Sequence, residues 1–211
     1  MQLTDMQTIS QFETLILPNL GVLRGDLSQN IIDSLMEEID DIQKNGGCPE
    51  NQSLAAFIEE EYLLEKSIPS LVPYLETMVQ EFRQVYRCHQ EMKEFALSKV
   101  WVNLQKKNEI NILHNHDGNL SFVIWLKIPY KLDDEMNMKN VINARTKDVT
   151  SNFALVYSDI LGDINNFNLP VDEDWEGKII LFPSRLQHMV YPFQTSDEYR
   201  ISVSGNIYFK Q

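Results

Sequence analysis

The sequence predicts an α+β protein in which a helical segment precedes an all-β sandwich or barrel. Up to about residue 94, apolar residues recur with helical spacing. From about residue 95 onward, short segments rich in Val, Ile, Phe and Tyr are separated by Asn, Gly, Asp and Pro, as is typical of strands and turns. The 211 residues fit a single domain with a substantial core, so we expect a mainly helical support in 1–94 and a β core in 95–211.

The N-terminal part is predicted to contain one early strand and three helices. The strand and its turn fall in 12–25, and the apolar spacing places helices at 28–44, 53–65 and 69–88. Their apolar stripes carry no side chains suited to chemistry, so we expect them to form a support layer against a sheet. The helices within 53–88 could instead form the face of a homodimer, although such a stripe usually meets its own core.

The C-terminal part is predicted to be a series of strands interrupted by one long polar loop. Such loops in compact domains often serve as lids or binding loops, which is our interpretation of 130–150. The predicted strands are 96–105, 109–115, 119–128, 152–158, 177–183, 186–191 and 199–209.

Composition narrows the classes of partner. A formal net charge of −13 argues against a nucleic acid partner, because phosphate backbones would be repelled. No segment approaches the roughly 20 apolar residues that span a bilayer, and the N-terminus lacks the basic start of a signal peptide. Cys48 and Cys88 have neither metal-ligand spacing nor the pattern of a disulfide framework. We therefore expect a soluble cytoplasmic protein with no membrane partner.

Three of the four histidines occupy strand-like positions that could share one metal ion. In EINILHNHDG, His114 and His116 are two positions apart, so a regular strand places them on one face with Ile110 and Ile112. His188 lies in a later predicted strand. Three ligands on one side of a metal, with open positions on the other, suit an Fe(II) centre that activates O2. The residues alone leave open that these are ordinary strand histidines.

A candidate anion-binding group follows His188 by twelve residues. In YRISVSGNIYF, alternation puts Arg200, Ser202 and Ser204 on one strand face, with apolar residues on the other. A planar guanidinium pairs with a carboxylate through two hydrogen bonds, and a nearby hydroxyl can add a third, which suits a dicarboxylate ligand. The alternative is a solvated face in which Arg200 pairs with Asp197 or Glu198.

Taken together, these segments resemble the 2-oxoglutarate/Fe(II) oxygenase superfamily, and more closely a group of oxygenases frequent in marine bacteria and phages. The resemblance covers about residues 95–209 and rests on HxH before a strand, a G-x(4)-FPS-x(3)-H segment and a final R-[IV]-S element. The matching positions are His114, His116, Gly177, Phe182, Pro183, Ser184, His188, Arg200, Ser202 and Asn206.

The resemblance implies a double-stranded β-helix, that is, a cupin-like jelly roll, as a single oxygenase domain over 1–211. It implies an enzyme that uses Fe(II), O2 and the co-substrate 2-oxoglutarate, hydroxylates a protein side chain or a small metabolite, and releases succinate and CO2. It assigns the metal to His114, His116 and His188 and the distal carboxylate of 2-oxoglutarate to Arg200 and Ser202. Asn103 matches a position that contacts the co-substrate in some relatives, and no catalytic residue beyond the metal ligands is implied.

The chain departs from the superfamily pattern at one ligand. Most members have HxD or HxE, whereas this sequence has His116, with Asp117 as the alternative ligand if the strand ends at His114. Two other functions stay open: a cupin-like three-histidine metal protein that does not use 2-oxoglutarate, and a non-catalytic relic of the fold. Arg200 argues against the first of these functions, because a cupin-like metal protein does not need a buried carboxylate clamp. A non-catalytic relic is expected to bind no metal tightly.

Overall fold

The computed structural model describes residues 19–50, 56–89, 91, 94–139, 141 and 149–210. In these ranges the helices are α1 (Gln29–Asn45), α2 (Ile68–Tyr86) and α3 (Leu132–Met136). The strands are β1 (Leu23–Asp26), β2 (Ala56–Phe57), β3 (Glu61–Leu63), β4 (Glu94–Gln105), β5 (Ile110–His114), β6 (Leu120–Lys127), β7 (Phe153–Ser158), β8 (Ile164–Leu169), β9 (Lys178–Pro183), β10 (Gln187–Val190) and β11 (Arg200–Lys210).

The strands form two antiparallel sheets with a jelly-roll arrangement. The larger sheet has the order β1-β9-β6-β11-β4-β3, and the smaller sheet has the order β2-β5-β10-β7-β8. An interior apolar cluster that includes Val123, Trp125, Phe153, Phe182 and Phe193 draws on both sheets. The predicted double-stranded β-helix is therefore confirmed, and its interior provides a partly apolar space for a site.

The outer face of the larger sheet is covered by α1 and α2, as the support-layer prediction requires. Leu35 and Ile39 of α1 and Leu75 of α2 are at most 1% exposed and pack in one cluster with Val102 and Leu104 of β4. Burying each such side chain contributes roughly 1.5–3 kcal/mol to folding. The helical layer supports one face of the larger sheet, and the opposite face of that sheet lines the interior.

The prediction of a helix over 53–65 is wrong, because the described residues of this range, 56–65, form no helix. Residues Ala56–Phe57 form β2, which pairs with β5, and Glu61–Leu63 form β3, which pairs with β4. Pairing with strands that come about forty residues later for β3 and about fifty-five residues later for β2 outweighs the local helix propensity of this segment. The first 94 residues thus contribute strands to both sheets as well as the helical layer.

Of the predicted early strand, 23–25 belongs to β1, whereas 12–18 lies outside the described residues.

The strands predicted after residue 95 are all present, with ends that differ by two residues or fewer. β8 was not among the predicted strands, because its sequence INNFNL carries three asparagines, a residue type depleted in strands. It forms because β8 pairs along its full length with β7 in a hairpin.

The described part of the predicted lid is anchored to the body of the protein. The fully buried carboxylate of Glu135 in α3 accepts hydrogen bonds from the backbone amides of Gln194 and Thr195 and from the Thr195 hydroxyl, at 2.6–3.0 Å. Residues 140 and 142–148 of the predicted lid lie outside the described residues. Among the described helices, none combines the length and apolarity needed to cross a membrane.

Candidate functional site

A cavity inside the jelly roll brings the predicted site residues together. Its wall includes all six side chains that the sequence analysis selected for metal or co-substrate binding, namely Asn103, His114, His116, His188, Arg200 and Ser202. Trp101 and Trp125 also line it. The cavity therefore has a histidine-rich part, a cationic part and aromatic walls.

The three histidines come from two neighbouring strands and the loop between β5 and β6. His114 ends β5 and lies directly opposite His188 of β10. His116 follows β5, where its backbone N–H donates to the Ser184 carbonyl at 2.9 Å. One ligand atom from each imidazole lies within 4.8 Å of the others, a spacing that a single metal ion can bridge. Asp117 is exposed and lies outside this cluster.

The prediction that Ile110, Ile112 and His114 share one face of a regular strand is wrong. The register of β10 against β5 shifts, so that His188 lies opposite His114 whereas Val190 lies opposite Asn111. Three steps along β5 thus match two along β10, which is a β-bulge. As a result Ile112 is 39% exposed, and Asn111 lines the cavity with His114.

The imidazoles are held in the state that a metal ion requires. Burial lowers the pKa of His188 to about 3 and that of His116 to about 4, with neighbouring imidazoles adding to both shifts, and burial also lowers the pKa of His114. His114 Nδ1 donates to the Ile112 carbonyl at 2.6 Å, and His188 Nδ1 donates to the Leu186 carbonyl at 3.0 Å. Because a carbonyl only accepts, Nε2 of both rings keeps its lone pair.

Arg200 is a buried cation surrounded by neutral groups. It is 1% exposed, and its guanidinium donates to Gln105 Oε1 at 2.6 and 3.1 Å and to the Tyr130 hydroxyl at 2.7 Å. It also donates to the backbone carbonyls of Ser151 and Tyr191 at 3.0 and 2.9 Å. No ion pair among the described residues includes Arg200.

The alternative that placed Arg200 on a solvated face is therefore wrong. Asp197 and Glu198, its suggested partners, instead pair with Lys107 and Lys127. A guanidinium buried this deeply without a counter-charge is costly, since the desolvation of a charge is offset fully only by a partner of opposite sign.

Polar side chains of β4 and β11 line the wall beside Arg200. Asn103 lies opposite Ser202 in the β4–β11 register, and its Nδ2 approaches the hydroxyls of Ser202 and Ser204 at 3.4 and 3.5 Å. The Oδ1 atoms of Asn103 and Asn111 are buried, and neither has a hydrogen-bond partner in the described ranges of the chain. Buried acceptors of this kind are uncommon in proteins, and they suit a cavity whose ligand supplies the donor.

Aromatic rings surround the histidine cluster. Phe153 stacks on His188 with ring centroids 5.5 Å apart, and Phe182 meets the same ring at 5.1 Å. The edge of Trp101 approaches His116 at 5.6 Å. These walls limit the access of water to the cluster, which strengthens electrostatic interactions inside the cavity.

The groups that hold Arg200, and one buried carboxyl group, were not predicted from the sequence. Gln105 could have been found, because it shares a strand face with Asn103 two positions earlier. Tyr130 and Ser151 come from distant segments with no local signal. Glu61 of β3 was assigned to a helix, yet its side chain is 1% exposed and lies opposite Asn103.

Glu61 makes the stability of the fold depend on pH. Burial, and then the charges of Glu109 and Glu50, raise its pKa from 4.5 to about 7. The folded state thus holds this proton more tightly than the unfolded state, so stability is lost as pH rises from about 4.5 through 7. We expect the stability of Glu61→Gln relative to wild type to rise by up to about 3 kcal/mol between pH 5 and pH 8.

Urea unfolding of both proteins at the two pH values measures this difference. Glu59→Gln is the matched control, because Glu59 is largely exposed and pairs with Lys106. A stability difference between Glu61→Gln and wild type that stays constant with pH would show that Glu61 does not titrate in this range.

Comparison with known proteins identifies the family. A family model described as "Putative 2OG-Fe(II) oxygenase" matches residues 99–206, just over half of the chain. A comparison with curated proteins finds no match. A prolyl-4-hydroxylase of Pseudomonas putida is similar in structure, with a TM-score of 0.58, 13% identity, and coverage of 90% of this chain and 93% of that one.

Two further solved structures share the fold. The viral collagen prolyl hydroxylase of Paramecium bursaria Chlorella virus-1, solved with 2OG, gives a TM-score of 0.51 at 13% identity, over 88% of this chain and 94% of that chain. An oxidoreductase of the 2OG-Fe(II) oxygenase family from Burkholderia pseudomallei gives a TM-score of 0.50 at 15% identity, over 89% of this chain and 85% of that chain. At these identities the structures support the fold, whereas the family model carries the assignment. The chain belongs to the 2OG-Fe(II) oxygenase family and is an enzyme that depends on Fe(II) and 2-oxoglutarate.

Proposed function

We propose that this oxygenase hydroxylates a substrate in the jelly-roll cavity, with Fe(II) held by His114, His116 and His188 and 2-oxoglutarate held by Arg200 and Ser202. One observation carries the proposal. The uncompensated guanidinium of Arg200 faces the same cavity as three neutral imidazoles, so one enclosed space offers an anion site and a metal site. A ligand with a carboxylate at one end and metal-binding oxygens at the other fits both sites.

The donor set fits a divalent metal ion. Three imidazole nitrogens are neutral at physiological pH, and two of them are oriented by backbone carbonyls. Because no carboxylate belongs to this ligand set, the ion would keep its full double positive charge. That charge favours a dianionic co-substrate more strongly than a site with a carboxylate ligand does.

The co-substrate carboxylate has an identifiable place on Arg200. Gln105 Oε1 accepts from both Nε and Nη2, which form the edge of the guanidinium that a carboxylate binds through two hydrogen bonds. We infer that the carboxylate of 2-oxoglutarate replaces Gln105 Oε1 on this edge. The Ser202 hydroxyl and the Asn103 amide, which lie in the neighbouring register position, provide further polar contacts.

The protein would contribute position and exclusion of water to the reaction. Fe(II) with 2-oxoglutarate supplies the oxidising chemistry, in which O2 is consumed, succinate and CO2 are released and an oxygen atom enters the substrate. Arg200 and Ser202 fix the orientation of the co-substrate from its far end. Phe153 and Phe182 shield His188 from water, which limits unproductive oxidation.

A protein side chain or a small metabolite is the substrate class that we propose. The similar structures from Pseudomonas putida and from the Chlorella virus are prolyl hydroxylases, which supports hydroxylation as the reaction. The net charge of −13 argues against nucleic acid as the substrate. We further propose a cytoplasmic enzyme, to which the free thiols of Cys48 and Cys88 are suited.

Titration of 2-oxoglutarate into the Fe(II)-loaded protein without oxygen tests the proposal. We expect a weak visible absorption band as the keto acid chelates the metal, and succinate formation once O2 and a substrate are added. Iron binding without such a band at any co-substrate concentration would contradict the proposed use of 2-oxoglutarate. It would favour a three-histidine metal protein with other chemistry.

A further inference from the structure

Glu61 is a buried carboxyl group for which the described part of the chain provides no hydrogen-bond partner. Its side chain is 1% exposed, and neither Oε1 nor Oε2 has a hydrogen-bond partner among the residues that the structure describes. Burying such a group without compensation costs several kcal/mol in general, so proteins rarely retain one unless a ligand supplies the partner. The proposed chemistry at the metal and the co-substrate leaves Glu61 without a role.

Glu61 lies on the interior face of the larger sheet, beside the co-substrate residues. In the strand register Glu61 pairs with Asn103, Asn103 with Ser202, and Ser202 with Trp125. Paired residues of antiparallel strands point to the same face, and Asn103, Ser202 and Trp125 all line the cavity. Adjacent strands are about 5 Å apart, which places Glu61 about 10 Å from Ser202 across the sheet.

The segment that precedes Glu61 contributes to the wall of the cavity, and Glu61 itself lies directly behind this wall, next to the lining residue Asn103. β2 belongs to the smaller sheet and β3 to the larger one, so residues 58–60 cross between the sheets, and Ile58 of this crossing lines the cavity. Tyr62, the next residue of β3, packs against the opposite core beneath the helices. The alternation of β3 thus directs Glu61 toward the interior.

The charges around Glu61 are mainly negative. The two residues that act on it most strongly by charge, Glu109 and Glu50, are both acidic. The ammonium of Lys99 pairs with Glu50, and none of the ion pairs between described residues includes Glu61. The unpaired Oδ1 of Asn103 adds another acceptor next to the Glu61 carboxyl group.

We propose that Glu61 binds a cationic group of the primary substrate, an ammonium or guanidinium on a flexible stem, and so selects a lysine-like or arginine-like substrate for this oxygenase. A cation satisfies the carboxylate and also supplies the donors that Glu61 and Asn103 lack. A neutral donor would leave an ionised Glu61 uncompensated among other acidic groups. This assignment rests on the proposed function, because it takes the cavity to be the substrate site.

The test compares cationic and neutral probes on the Fe(II)- and 2-oxoglutarate-loaded enzyme without oxygen. Calorimetric titrations use Nα-acetyl-lysine amide, Nα-acetyl-arginine amide and, as the neutral counterpart of nearly equal size, Nα-acetyl-norleucine amide. Free lysine is included to separate a small metabolite from a peptide side chain. The same titrations are run on Glu61→Gln and on Glu59→Gln, which removes an equal charge from an exposed site that is ion-paired with Lys106.

We expect wild type to bind at least one cationic amide at least tenfold more tightly than the norleucine amide. Glu61→Gln should abolish this preference, whereas Glu59→Gln should retain it. Equal affinities for cationic and neutral probes in wild type, or an unchanged preference in Glu61→Gln, would overturn the proposal. The wild-type comparison needs no variant, so a folding defect of Glu61→Gln cannot mask the result.

A parallel titration of 2-oxoglutarate into the Fe(II)-loaded proteins separates this inference from the proposed function. We expect its Kd to agree within twofold among wild type, Glu61→Gln and Glu59→Gln. If wild type fails to bind 2-oxoglutarate but the Fe(II)-loaded protein retains the preference for cations, the proposed function fails and the Glu61 site stands. If 2-oxoglutarate binds and the preference is absent, the Glu61 site alone is refuted.

Discussion

Replacing His188 with alanine is expected to lower the Fe(II) affinity by at least about a hundredfold and to abolish succinate formation. Even changes to groups that merely orient metal ligands cost 10–100-fold in affinity, and His188 would be a ligand itself. His188 is 2% exposed and neutral, so its loss leaves a cavity beside Phe153 and Phe182 and no unpaired charge. We expect a cost in stability of about 2 kcal/mol, which a folded protein of this size tolerates.

His89→Ala provides the control for the His188 experiment. His89 is the one histidine outside the cluster and contacts the ring of Phe209 at 5.1 Å, so its loss should leave Fe(II) binding unchanged. Calorimetry of Fe(II) binding and a succinate assay measure both variants. Tight Fe(II) binding by His188→Ala would mean that the metal site lies elsewhere in the protein.

The sequence predicted the β core well because its signal there is local. Strands such as β6 and β9 alternate or concentrate β-branched and aromatic residues between clear turn residues, and their ends were placed to within two residues. β3 was mistaken for a helix because its segment is rich in helix formers. Its strand conformation depends on pairing with β4, some forty residues later, which no local pattern reveals.

The candidate site was predicted only in part, because some of its residues belong to local motifs and others are brought together by distant segments. Motif spacing selected six side chains that the fold brings into one cavity, although their roles as ligands stay predictions. Spacing alone did not reveal the bulge in β5 that turns Asn111 inward. Nor did it reveal that Arg200 is held by Tyr130 and Ser151, because these contacts exist only once distant segments have folded together.

Arg200 and Gln105 are paired across β11 and β4, and we expect variants at these two positions to change the affinity for 2-oxoglutarate in opposite directions. Arg200→Lys keeps the charge and loses the planar edge, and we expect it to raise the Kd for 2-oxoglutarate by about 10–100-fold. Lysine offers three donors where Arg200 makes five hydrogen bonds, so stability should also fall by about 2–4 kcal/mol. Arg200→Ala would remove all five bonds and is the less informative variant.

Gln105→Ala should act in the opposite direction. If the carboxylate of 2-oxoglutarate replaces Gln105 Oε1, removing this acceptor frees the Nε and Nη2 edge of Arg200 in advance. We therefore expect a lower Kd and a larger rise in Tm on adding 2-oxoglutarate than wild type shows, since a ligand stabilises the state that it binds. Calorimetry and thermal unfolding of the Fe(II)-loaded proteins measure both quantities. Weakening by Gln105→Ala as large as that by Arg200→Lys would show that Gln105 supports the co-substrate rather than competing with it, and would place the carboxylate on another side of the guanidinium.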